Sequence, residues 1–180
     1  GGGSQNIAGL GPEALSRWLQ AFGLGRRTGI DLPGESAGFV PTKAWKEDVR
    51  KQPWYIGDTY NLSIGQGDLL VTPLQVAAYT AAVANGGKLV RPRLAAEQPV
   101  DVGAPLAPAE AVDTARLGMR DAVTVGSARS LAALPFAAAA KTGTAQWSKQ
   151  RDTHAWFTSF APFEAPEIVV TVLVEEGGEG

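Results

Sequence analysis

The sequence predicts an α+β fold in which helices cover an antiparallel β-sheet, and three observations lead there. Residues 11–135 are mainly helical and loop-like in pattern. Three strand-like runs then follow within 136–176: "FAAAAKTGTAQW", "HAWFTSFAP" and "IVVTVLVEE". The links between those runs, 148–153 and 163–167, are too short for a parallel crossover, so antiparallel neighbours are expected. The apolar density of Ile168 to Val174 predicts a strand covered on both faces.

The elements follow in order. In "PEALSRWLQAF", Leu15, Trp18, Leu19 and Phe22 share one helix face, with Pro12 suited to the first position and Gly23 to the stop. "GLGRRTGIDLPGESAGFVP" is dense in Gly and Pro and reads as a long loop. A short helix over 42–49 should have Thr42 as its cap. "GDTYNLSIGQGDLL" reads as a Gly-rich loop. "TPLQVAAYTAAVANGG" is a marked helix, with capping-box spacing between Thr72 and Gln75 and a stop at Asn85-Gly86. "RPRLAAEQPVDVGAPLAP" reads as a polar connection. A helix over 109–123 should turn Val112, Ala115 and Met119 inward, and a short helical turn should follow near 127–134.

Composition bounds the function. The chain has 180 residues, enough for one domain with a sizeable core. Its net charge of −2 gives no field for nucleic acid, and none is expected as a partner. With no cysteine, disulfides and thiolate metal sites are excluded. A single histidine, His154, argues against a His-based metal site, and no metal or organic cofactor is expected. No apolar run approaches the roughly 18–20 residues of a membrane helix. Residues 1–5, opening GGGS, read as flexible linker residues. Residues 6–180 then read as a partial domain, a piece of a longer protein.

The most informative stretch is Lys141-Thr142-Gly143-Thr144, where a lysine follows four alanines. On a strand, Lys141 and Gly143 share one face and the threonines share the other. All can meet one ligand only at a twisted or edge position. A cation, two hydroxyls and a glycine there would receive a carboxylate, and an edge strand would pair with an extended peptide. The plain alternative is a strand surfacing at Lys141, with threonines favoured for β propensity.

K-T-G together with S-x-x-K and S-x-N is the motif set of penicillin-binding proteins and class A β-lactamases. The chain resembles the transpeptidase domain of class B penicillin-binding proteins, most closely the elongation-specific type. The matching stretches are "FGLGRRTGIDLPGESAGFVPT", "PWYIGDTYNLSIGQGDLLVTPLQVAAYTAAVANGG", "AAKTGTAQ" and "HAWFTSFAPFEAPEIVVTVLVE". The resemblance implies a penicillin-binding peptidoglycan D,D-transpeptidase working through a serine acyl-enzyme on D-Ala-D-Ala stem peptides. It implies β-lactams as ligands, the elongation machinery with a membrane glycosyltransferase as partners, and a parent anchored in the cytoplasmic membrane with this domain outside. Carried over, Lys141 and Thr144 are catalytic, and Thr142, Gly143 and Thr144 bind substrate. The Thr144 N–H supplies part of an oxyanion hole.

The sequence departs from that pattern in three places. No lysine of this chain has a serine three residues before it, so S-x-x-K is absent and this chain alone is expected to be inactive. Ser4-Gln5-Asn6 fits S-x-N, which would make Ser4 and Asn6 catalytic, but the same residues also read as the end of the GGGS linker. The family's C-terminal helix and N-terminal strands are missing too. A β-lactamase or D,D-carboxypeptidase relative, or a non-catalytic binding module, is the alternative. "NLSIGQGDLLVTPLQ" argues against the β-lactamase.

Other residues take plainer expectations. His154 should be structural at a strand end. Asp58, Asn61 and Gln66 should shape a loop by hydrogen bonding. Trp147 and Trp156 should pack in the core, although either could line a groove. Asp31 and Glu35 should serve turn chemistry.

Overall fold

A computed structural model describes residues 9–95, 97 and 99–180. The element order is α1 (Gly11–Ala21), α2 (Lys43–Arg50), α3 (Ile56–Ser63), α4 (Pro73–Ala84), β1 (Lys88–Val90), β2 (Val102–Pro105), α5 (Ala109–Thr124), a 3₁₀ turn (Arg129–Ala133), β3 (Ala139–Ala145), β4 (His154–Ala161) and β5 (Ile168–Val174). The last three strands form an antiparallel sheet in the order β3-β4-β5, so the expected sheet forms and β3 is an edge strand.

Capping chemistry starts the helices where the sequence puts it. Thr42 Oγ1 accepts from the Trp45 N–H at 3.1 Å, opening α2. At α4 the box is reciprocal. Thr72 Oγ1 accepts from Gln75 N (3.1 Å), while Gln75 Oε1 accepts from Thr72 N (2.9 Å). Gln75 is nearly fully buried, and its amide also donates to the carbonyls of Arg26 (2.8 Å) and Ala37 (2.7 Å). One residue thus starts a helix and pins the long loop, which Phe39 and Leu70 join by a two-bond bridge. Gly38, at φ +61°, lies against the Leu70 carbonyl where no Cβ fits.

α4 packs under β4 and β5. Thr80 Oγ1 meets Thr158 Oγ1 at 3.0 Å, and Thr158 Oγ1 meets Thr171 Oγ1 at 2.8 Å. These buried hydroxyls satisfy one another and lock helix to sheet. Register pairs Lys141 with Thr158 and Thr158 with Thr171, so the lysine stands beside this ladder on the same face. Ala139 and Phe160 pack with Ala84, Met119 and Phe163 on that side. Ala140, on the opposite face, packs with Val123, Ala128, Leu131 and Phe157.

Several expectations change. "GDTYNLSIGQGDLL" contains all but the first residue of the helix α3, so Asp58 and Asn61 are helical. The segment expected to be a polar connection contains β1 and β2, which pair antiparallel. In α5 Ala115 is exposed, while Arg116 turns in with Val112 and Met119. Its Nη2 donates to the Phe163 carbonyl (2.6 Å), and Arg120 Nη1 donates to the Ala138 carbonyl (2.8 Å). The strand β3 starts at Ala139, three residues after Phe136.

β5 is not covered on both faces. Ile168, Val170, Val172 and Val174 are 58%, 45%, 43% and 50% exposed. The run is apolar on both sides, but α5 and the 3₁₀ turn cover the outer face only over β3 and β4. Among the described residues, no helix is long and apolar enough to cross a membrane.

Candidate active site

The outer half of β3 opens into a cleft of about 790 Å³ between the sheet, α1, α4 and the turn after α3. Lys141, Thr142, Gly143 and Thr144 all line it, and the edge position of β3 makes that possible. Trp156 and Tyr79 form part of its apolar wall. Burial pushes the Tyr79 phenol above its ordinary value, so it stays neutral.

The main chain of β3 is directed as the edge reading requires. The Thr142 carbonyl accepts from Lys141 Nζ (2.5 Å), and the Thr144 carbonyl accepts from Gln66 Nε2 (3.1 Å). Both carbonyls have side-chain partners that reach them from outside β4, as peptide groups turned toward the free edge of the sheet would. A residue's N–H points to the same side as its C=O in a strand, which sends the Thr144 N–H to that edge as well. Edge groups of this kind pair with an extended peptide.

The hydroxyls have partners of their own. Thr142 Oγ1 meets Ser127 Oγ at 2.8 Å, and Thr144 Oγ1 accepts from the Gly180 N–H at 3.2 Å. A side chain at Gly143 would stand over the Cβ of Trp156, at 3.4 Å. The site thus offers one ammonium, two positioned hydroxyls and an open peptide edge, a set suited to holding a C-terminal carboxylate.

Gln66 does what was expected of it and more, since it clamps the K-T-G-T strand from 78 residues away. Asp58 also acts through hydrogen bonds, but from a helix. It accepts from Tyr55 N (2.7 Å) and from Lys46 Nζ (2.5 Å), and Lys46 is itself buried. The lysine hydrogen bond is the main cause that holds the Asp58 carboxyl below its ordinary range. His154 opens β4 and also lines the cleft. Its Nδ1 accepts from the Glu176 N–H at 3.0 Å, and its ring stacks on Trp147 at 5.1 Å. Trp147 is half exposed and lines the cleft with Trp156, against the core-packing expectation for it. Glu35 serves its own loop, as the turn expectation has it, whereas Asp31 bonds across to the segment after β1. Asp31 accepts from Leu94 N and Ala95 N, and Glu35 accepts from Thr28 and Gly29.

Ser4 and Asn6 lie outside the described residues. Sequence reasoning missed Ser127, the hydroxyl partner of Thr142. Its only signal is a serine in the tight turn between α5 and the 3₁₀ turn, which no spacing rule connects to Thr142.

Comparison with known proteins places this arrangement. Residues 3–180 match the family model "Penicillin binding protein transpeptidase domain". The chain is 35% identical to the peptidoglycan D,D-transpeptidase MrdA of Haemophilus influenzae, over 95% of this chain and 31% of the relative. It thus spans about a third of the length of that curated relative. Its structure is similar to the penicillin-binding protein PBP2 from Helicobacter pylori, with a TM-score of 0.87, 40% identity and coverage of 94% of this chain and 32% of that one. Pseudomonas aeruginosa PBP2, solved in complex with WCK 5153, gives a TM-score of 0.86 at 37% identity, covering 95% of this chain and 41% of that one. By its sequence match and by the fold that carries K-T-G-T on a sheet edge, the chain belongs to the penicillin-binding protein transpeptidase family, and within it to the MrdA/PBP2 type.

Proposed function

We propose that this chain is the substrate-holding part of a peptidoglycan D,D-transpeptidase that cross-links stem peptides during cell-wall elongation. One observation carries the reading: Lys141, Thr142, Gly143 and Thr144 line one cleft at the free edge of the sheet. A stem peptide ending in D-Ala-D-Ala lies along that edge. Lys141, Thr142 and Thr144 receive its terminal carboxylate, and the Thr144 N–H faces the oxygen that becomes negative in the tetrahedral intermediate. β-Lactams take the same place. The acyl bond forms on a serine outside these 180 residues, because no S-x-x-K occurs among them. Terminal D-Ala leaves with a proton, and an amine of a second stem peptide then takes the acyl group and frees the serine.

The partners follow the same reading. A Helicobacter pylori PBP2 is known in complex with MreC, and another similar chain belongs to a peptidoglycan synthase complex that coordinates polymerization and crosslinking. These relatives support elongation machinery, with a membrane glycosyltransferase, as the partner of the parent protein. The parent is placed on the outer side of the cytoplasmic membrane by an anchor outside the residues described above.

Fluorescent penicillin tests the reading. The 180-residue chain should take no covalent label, and a longer parent containing S-x-x-K should take one per molecule. Label on the short chain would overturn the assignment of the nucleophile. No label on the folded parent would leave the non-catalytic binding module as the better account.

A further inference from the structure

A second pocket, of about 300 Å³, lies between the end of α1, the loop after it, α4 and the β1–β2 ribbon. It shares only Phe22 with the cleft. Arg26, Arg27 and Arg91 line it, against a single acid, Asp101. Among the described residues none of these arginines forms an ion pair. Arg91 uses its Nε on the Gly29 carbonyl (2.6 Å), and the side chains of Arg26 and Arg27 have no hydrogen-bond partner among the described residues.

The acids of this loop are engaged chiefly in hydrogen bonds from backbone and from Thr28, and charge attraction to Arg27 (for Glu35) and Arg91 (for Asp31) is only the least of the influences on them. Glu35 accepts from Thr28 N (2.6 Å), Thr28 Oγ1 (2.6 Å) and Gly29 N (3.0 Å), and Asp31 accepts from Leu94 N (2.6 Å) and Ala95 N (3.1 Å). The same bonds hold the loop still, and Gln75 fixes the Arg26 carbonyl from beneath. The arginines therefore project from a preorganised backbone, which lowers the ordering cost of binding. The chain carries −2 overall, so this positive charge is local and not part of a basic surface. Concave walls with an excess of one sign of charge, here three arginines to one aspartate, concentrate counter-ions, and guanidinium forks match carboxylate and phosphate oxygens. Phe22, Ala78 and Leu89 add an apolar side to the pocket.

We propose that this pocket binds a small ligand bearing a carboxylate or phosphate group beside an apolar portion. The site does not rest on the acyl-transfer reading. Calorimetry and thermal shift at low ionic strength test it on the whole chain, with inorganic pyrophosphate in one arm and tricarballylate in the other. At least one should bind saturably and raise Tm. Tighter pyrophosphate assigns a phosphate ligand, and tighter tricarballylate assigns a carboxylate. R26Q/R27Q should weaken binding about tenfold or more. R129Q, which removes an exposed arginine on the 3₁₀ turn outside the pocket, should change it less than about twofold. If the double variant does not fold, R27Q alone serves, since its side chain makes no hydrogen bond or ion pair among the described residues, and a weakening of about threefold or more is expected. No saturable binding in either arm, or equal losses in R129Q and the pocket variants, would overturn the proposal.

Discussion

The two halves of the β3 segment are built by opposite rules. Ala138, Ala139 and Ala140 are at most 2% exposed and packed from both sides of the sheet. Immediately after them, Lys141 and Thr144 are exposed and Thr142 and Gly143 are half-buried, in a cleft. The first half has no chemistry and fixes position; the second has chemistry and little packing of its own. The difference shows how a site stays accurate without being buried. Small side chains let α5 and β4 approach closely, and the strand then enters the cleft along a set line.

Breaking the packed half should therefore harm stability most. Phe160→Ala empties a fully buried position against Ala84 and Ala139 and should cost about 3–5 kcal/mol in urea unfolding. Ala139→Leu should overpack the same contact and cost about 1–3 kcal/mol. Thr80→Val removes one hydroxyl of the buried ladder while Thr158 keeps Thr171, so about 1 kcal/mol is expected. Ser127→Ala, in the functional half, should stay within about 0.5 kcal/mol and act only on Thr142.

Acid sharpens the contrast, because the carboxylates that brace the framework lie outside the cleft. Asp58 is held low chiefly by its Lys46 hydrogen bond. For Glu35, burial raises the value, but hydrogen bonds from Thr28 and Gly29 outweigh it and the net direction is down. Folded values below the ordinary 3.8 and 4.5 mean stability that is present above those values and lost as pH falls through the folded ones. Urea midpoints should be level near neutrality and drop progressively below about pH 4.5. Asp58→Asn should flatten that drop.

Much of the fold was legible because local chemistry dictates it. The reciprocal cap of Thr72 and Gln75, the Thr42 cap and the short links between strands are all sequence-local. Three glycines hid α3, whose start is set by Asp58 reaching the Tyr55 N–H. Prolines hid β1 and β2, whose pairing depends on a partner about a dozen residues away. Alternation could not show that the outer face of β5 lies bare, since Ile168–Val174 is apolar on both sides. At the site, Lys141 to Thr144 stood out as a run, whereas Ser127 and Gln66 reach it only through tertiary structure.

The central claim is that Lys141 serves the cleft and not the fold. The most direct measurement compares Lys141→Ala with wild type in the longer parent, following penicillin acylation rate and Tm together. The account predicts acylation slower by about 10²–10³-fold with Tm nearly unchanged. Unchanged acylation in a folded variant would contradict it.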